Sequence, residues 1–165
     1  MASTFPVLPM ALTQIKTRGF DIRDSLGYLV SNVRSHWIGA LEVELKPLDL
    51  TAAQYIVIVN VGAGRARTPM ELCRLFQYDT GAMTRLIDRI EAKGLIRRAA
   101  HGADRRCVAL ELTESGEELY PRLLQIVVDM NKRALRGFTR EEAAALESLL
   151  HRVARNVTIA PDAGR

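Results

Sequence analysis

Ten of the chain's 23 Lys and Arg residues fall between residues 65 and 106, against five Asp and Glu in the same window. The rest of the chain holds 13 basic and 14 acidic side chains, so the net charge of +4 comes from the middle third. Two clusters stand out. "DTGAMTRLIDR" (79–89) places Arg85 and Arg89 behind a run of small and polar residues. "RRAAHGADRR" (97–106) sets Arg97, Arg98, Arg105 and Arg106 around a Gly/Ala-softened turn, with Asp104 among them. Guanidinium groups at this density grip carboxylates or phosphates, bidentately where the partner is planar. The window therefore points to a polyanionic partner; the plain alternative is a solvated, arginine-rich face.

Other chemistries lack their residues. His36, His101 and His151 are scattered, and no Ser/His/Asp or Cys/His set shares a plausible site. Cys73 and Cys107 have no CxxC spacing, which excludes the usual zinc and disulfide frameworks. "GAGRAR" has the glycines of a phosphate loop but follows a helix rather than a strand. An enzyme, a metal site and a cofactor are not expected. "MASTFPVLPM" lacks the basic start of a signal peptide, and the apolar run "YIVIVNVGAG" is too short to cross a bilayer, which takes about 20 residues. A cytoplasmic protein is expected.

The elements that must position the clusters have readable starts. Ile22, Leu26, Leu29, Val30, Val33, Trp37, Leu41 and Leu45 recur at helical spacing, which predicts a long helix over about 21–46, stopped by Pro47. "LTAAQ" predicts a helix capped by Thr51 with Gln54 closing the box and Leu50 and Tyr55 as a staple. "TPMEL" predicts the next, with Thr68 as cap, Pro69 in the first turn and Glu71 as partner. Asp79 should cap a further helix to Lys93, stapled by Tyr78 and Met83 and stopped by Gly94. "LIRRA" and "CVALEL" read as strands, with Val108, Leu110 and Leu112 facing the core. A fifth helix carries the stripe Leu119, Leu123, Ile126, Val127, Met130, Ala134 and Phe138, and Pro121 should bend it if it starts at Thr113. "TREE" opens a sixth, capped by Thr139, with Leu146, Leu149, Leu150 and Val153 on one face. Residues 1–20 and the tail "TIAPDAGR" read as irregular.

The expected fold is mainly α with a small β-hairpin wing: a winged helix-turn-helix over 47–116, plus a helical dimerisation region from 1–46 and 117–165. In the fourth helix Met83, Leu86, Ile87 and Ile90 make the core stripe. Thr80, Gly81, Thr84, Arg85 and Asp88 then face the other way, with Arg89 beside them. Small residues let a backbone approach base edges, the helix N-terminus favours phosphate, and arginine can contact guanine bidentately. Asp88 is expected to pair with Arg85 at i−3. In the hairpin, Arg105 and Arg106 suit a narrow minor groove. Asp104 is read as a brace that pairs with Arg98 or Arg105 and aims the arginines.

"DTGAMTRLIDRIEAKGLIRR" followed by "DRRCVALELTESG" resembles the MarR family of bacterial transcriptional regulators. The matching residues are Asp88-Arg89-Ile90-Glu91, Lys93-Gly94-Leu95-Ile96, Arg98, then Asp104, Arg106, Leu112-Thr113 and Gly116. The resemblance implies a homodimer that represses transcription from a pseudo-palindromic double-stranded DNA operator, with half-sites roughly 34 Å apart. Thr80, Gly81, Thr84, Arg85, Arg89, Arg98, Asp104, Arg105 and Arg106 would form its DNA surface. It also implies a small aromatic or phenolic effector, for which His36, Trp37 and Tyr55 are the candidate pocket residues. A family subgroup senses peroxides through a cysteine near the start of the first helix; this chain has none before Cys73. The alternative reading is a winged helix that binds an acidic protein surface without specific DNA binding.

Overall fold

A computed structural model describes residues 21–100 and 108–157, with Ala100 described in its backbone only. A short 3-10 turn, Ile22–Asp24, leads into α1 (Leu26–Leu45), and a second, Lys46–Leu48, follows it. Then come α2 (Ala52–Gly62), α3 (Pro69–Phe76), α4 (Thr80–Ala92), β1 (Ile96–Ala100), β2 (Val108–Leu112), α5 (Glu114–Ala134) and α6 (Arg140–Val157). The expected first helix is therefore divided: Ser25 sits in extended backbone and caps α1 by accepting from the Tyr28 N–H. Pro47 occupies the first turn of the second 3-10 segment, where its missing N–H costs little. The chain forms two compact units that divide between Leu123 and Leu124, within α5.

The caps carry the first unit. Thr51 and Gln54, and Thr68 and Glu71, each close a reciprocal capping box. α2 contributes to the core on most of its faces: Ala52, Gln54, Tyr55, Val57, Ile58 and Val61 are buried. Gly94 takes φ +69, the left-handed conformation that ends α4 at little steric cost. The strands form a two-stranded antiparallel ribbon with Ile96 opposite Leu112 and Arg98 opposite Leu110. The Leu110 N–H donates to the Arg67 carbonyl at 2.7 Å, which ties β2 to the loop before α3.

Two expectations change. Val108 is 37% exposed while its neighbours Ala109 and Leu110 are both buried, so strict alternation fails at the outer end of β2. A two-stranded ribbon twists strongly, which rotates its distal residues off the core. Tyr78 is 46% exposed and meets Phe76 edge-on, with ring centroids 6.5 Å apart. Phe138 lies beyond the end of α5 and is exposed, so it does not continue the stripe. α5 itself runs unbroken through Pro121. In the second unit Thr139 and Glu142 make the expected reciprocal cap of α6, at 2.9 and 3.1 Å.

A latch joins the hairpin base to α5. The Thr113 hydroxyl donates to the Gly94 carbonyl and accepts from the Gly116 N–H, and the Thr113 N–H donates to the Leu95 carbonyl. Gly116 permits this approach, because a Cβ there would collide with the Leu95 carbonyl oxygen. Gly116→Ala is expected to cost about 2 kcal/mol by overpacking, a fall of roughly 4–8 °C in Tm for a chain of this length. Gly39→Ala, inside α1 with open space around the new methyl, should leave Tm unchanged or raise it. Thermal melts followed by circular dichroism compare the two.

Candidate nucleic-acid interface

α4 is built as a two-sided helix. Asp79, in extended backbone, accepts from the Ala82 N–H at 2.9 Å and starts it. Met83, Leu86, Ile87 and Ile90 are buried, which fixes its rotation about its own axis. Thr80, Gly81, Thr84, Arg85, Asp88 and Arg89 are consequently exposed, as the helical period requires. The Thr84 hydroxyl donates to the Thr80 carbonyl at 2.8 Å and keeps its lone pairs outward. A Cβ at Gly81 would stand 3.4 Å from an Arg85 guanidinium nitrogen. The Arg85 head thus lies along bare backbone in the first turn of the helix, beside the N–H groups that favour an anion.

Two acidic residues on α4 face the hairpin and share one arginine there. Arg98 on β1 reaches the Asp88 carboxylate at 2.6 Å with one guanidinium nitrogen and pairs with Glu91 through another. Its backbone N–H also donates to Glu91 at 3.1 Å. The Asp88 hydrogen bond foremost holds the Arg98 guanidinium above its ordinary pKa, with both carboxylate charges adding to the effect. Next to it, Arg97 pairs across the ribbon with Glu111 at 2.8 Å, its register partner. At the far end of α4, Lys93 pairs with the carboxylate of Asp49 and also donates to the Asp49 carbonyl. Asp49 has left-handed backbone at φ 53, between α1 and α2. Arg85 and Arg89 form no ion pair among the described residues.

The structure brings Thr80, Gly81, Thr84, Arg85 and Arg89 onto one exposed face of α4. Arg98 stands apart from them: it is bound to two carboxylates, with its side chain 32% exposed. Asp88 pairs with Arg98 rather than with Arg85, because β1 brings a guanidinium that can engage both Asp88 and Glu91. This link joins residues ten apart in sequence, and the pairing rules for a single helix give no sign of it. Asp104, Arg105, Arg106 and Cys107 lie outside the described residues. Cys73 is a buried free thiol.

The three candidate pocket residues differ in their surroundings. His36 is exposed and bonds through Nδ1 to the Asn32 carbonyl at 2.9 Å, one turn back on α1. Trp37 is half-buried, and Tyr55 is buried with a hydroxyl that has no hydrogen-bond partner. Burial foremost, with Tyr120 nearby, pushes the Tyr55 phenol above its ordinary pKa. Tyr120 also accounts for the glycine at position 62, the first of the GAGRAR segment. Its ring occupies the place a Cβ would take at Gly62, with the nearest ring carbon 2.5 Å from that point.

A capped helix with a small, basic outer face, tied through an arginine to an antiparallel hairpin and preceded by two short helices, defines a winged helix-turn-helix protein. Residues 48–106 match the model of the MarR family. The chain is 35% identical over 129 residues to the multiple antibiotic resistance protein MarR of Escherichia coli K12, covering 78% of this chain and 90% of that one. It is also similar to the crystal structure of a mutant E. coli MarR complexed with operator DNA (TM-score 0.71, 33% identity, 81% of this chain and 99% of that one). A MarR family regulator from Listeria monocytogenes complexed with a 26mer DNA is similar too (TM-score 0.75, 25% identity, 81% and 89%). The chain belongs to the MarR family, and it is a transcriptional regulator rather than an enzyme. Among the described residues no helix is long and apolar enough to cross a membrane.

If Arg98 sets the angle between α4 and the hairpin, Arg98→Ala should loosen the hairpin without unfolding the domain. Hydrogen–deuterium exchange over residues 96–100 should accelerate several-fold while α2 stays protected. Arg89→Ala, on the same helix without an ion pair, should leave that exchange unchanged.

Proposed function

We propose that the protein is a homodimeric repressor that binds a pseudo-palindromic operator. Each α4 would enter a major groove, and each hairpin would carry Arg105 and Arg106 toward the adjacent minor groove. The observation that carries this reading is the sorting of charge on α4. Asp88 and Glu91 are held by Arg98, so the outer face offers Arg85 and Arg89 beside Thr80, Gly81 and Thr84. The two related proteins crystallised with DNA support it. The protein-interaction alternative is not favoured by these relatives. Arg98 then acts as a positioning residue, and Asp104 braces the arginines of the hairpin tip. Residues 47–116 form the DNA-binding domain, and 1–46 with 117–165 form the dimerisation region; the protein works in the cytoplasm, where its operator is.

Exposed apolar side chains support the dimer. Leu26, Leu29, Val30 and Val33 repeat at i, i+3, i+4 and i+7 along α1, and Leu146, Leu149 and Leu150 lie along α6, all exposed in the single chain. Stripes of this kind mark interfaces, and a second copy presents the same stripes in return. A small aromatic or phenolic effector is part of the proposal, with His36, Trp37 and Tyr55 as its contacts. The unpartnered Tyr55 hydroxyl supports this, since a buried phenol gains from a bound acceptor.

Arg85→Ala is expected to weaken operator binding by about 1–3 kcal/mol and to relax sequence preference in the half-site it reads. Arg106→Ala should weaken binding to every duplex alike and lower the slope of log K against log salt by about one. Fluorescence anisotropy with selected and scrambled duplexes measures both. Wild-type affinity in both variants would remove the assigned surface.

Asp88→Asn separates bracing from bulk charge. It makes the protein more positive, so simple electrostatics predicts tighter binding. The bracing role predicts operator binding weaker by about twofold to fivefold, the modest scale of a part-exposed ion pair.

A further inference from the structure

The C-terminal end of α4 is tied to a point far back in the chain. Lys93, which caps that end, donates from Nζ to both the carbonyl and the carboxylate of Asp49, 44 residues earlier. Asp49 stands between α1 and α2 in left-handed backbone, φ 53 and ψ 39, and its N–H donates to the Lys46 carbonyl at 3.1 Å. Aspartate is one of the few residues with a side chain that tolerate this region. Beside it, Glu42 of α1 accepts from the Ala52 N–H at 3.5 Å, in the first turn of α2. The Asp49 side chain is 97% exposed, so the pair adds little to folding stability. A link of this kind holds a direction more than it holds the fold.

The direction it holds is that of α1. Leu41 and Leu45, at the end of α1 next to Asp49, are buried, whereas Leu26, Leu29, Val30 and Val33 at the other end are exposed. α1 has 20 residues. It is therefore about 30 Å long, and a tilt of about 5° at its buried end moves its far end by roughly 3 Å. We infer that Lys93 is a positioning residue that fixes the angle between α1 and α4, and through it the spacing of half-sites that the dimer accepts. The inference rests on the homodimeric, operator-binding reading above. In that reading each α1 is a lever with the partner copy at one end and, through Asp49 and Lys93, α4 at the other. Lys93 lies past the C-terminal end of α4, whereas Thr80, Gly81 and Thr84 lie at its N-terminal end, so its substitution leaves the reading face intact.

Fluorescence anisotropy on the full chain tests this with three duplexes: the selected operator, the same operator with one base pair inserted at its centre, and a single half-site. The insertion turns one half-site by roughly 35° against the other and shifts it by about 3.4 Å. Wild type should prefer the selected operator over the lengthened one. Lys93→Met should cut that preference by about twofold to fivefold, the scale of a part-exposed ion pair, and bind the half-site like wild type. Lys93→Arg, which keeps a cation, should restore the preference. Asp49→Asn keeps a residue that tolerates the backbone and removes the charge. It should shift the preference in the same direction, and adding it to Lys93→Met should change nothing further. Wild-type spacing preference in both single variants overturns the inference. So do equal losses on all three duplexes, which mark a general loss of binding. The Asp49 side chain is in solvent, so Asp49→Asn decides the matter even if Lys93→Met folds poorly. A wild-type protein indifferent to spacing removes the dimeric reading itself, and the inference with it.

Discussion

The pairing of Arg98 with Asp88 and Glu91 is the constraint on which the interface depends. A recognition helix and a hairpin can read adjacent grooves only if the angle between them is set before the DNA arrives. Packing alone sets part of that angle, through Ile90 and Ile96, both buried where α4 hands over to β1. The rest comes from a guanidinium on one element and two carboxylates on the other. Thr113 completes the frame from the opposite side, because its hydroxyl holds the α4 terminus at Gly94 while capping the start of α5. Lys93 and Asp49 anchor the same helix end to the α1–α2 connection. α4 is therefore restrained by polar links at its C-terminal end and left open at its N-terminal end, where it would meet a ligand.

The same pairing solves an electrostatic problem. A helix meant for a polyanion that carries free carboxylates on its outer half would repel its target. Here Asp88 is exposed, yet its charge is compensated by a residue from another element. Arg98 donates two of its five guanidinium N–H groups to the acids, whereas Arg85 and Arg89 form no ion pair among the described residues.

Much of this was legible in the sequence because it is local. The three cap motifs at Thr51, Thr68 and Asp79 are short-range devices, and each forms as its residue types demand. The core stripe of α4 and the left-handed stop at Gly94 follow from period and backbone permissiveness in the same way. What was not legible depends on distance in sequence. The partner of Asp88 comes from across the α4–β1 turn, and the ring that requires Gly62 comes from α5. Ribbon twist decided the exposure of Val108, which an alternating pattern cannot register.

The helices outside the winged unit behave differently, and that difference bears on assembly. α2 and α4 each bury most of their apolar residues within one chain, whereas α6 buries none. Isolated helices are marginal in water, and most helical stability comes from packing an apolar face. An 18-residue helix with Leu146, Leu149 and Leu150 in solvent gains almost nothing of that kind. The exposed α1 stripe, Leu26 to Val33, has the same deficit. Both stripes keep helical spacing, which surface residues under no packing constraint have no reason to do. A second copy would present the same two stripes in return. It would also place two α4 helices in a fixed relation, which a two-fold operator requires.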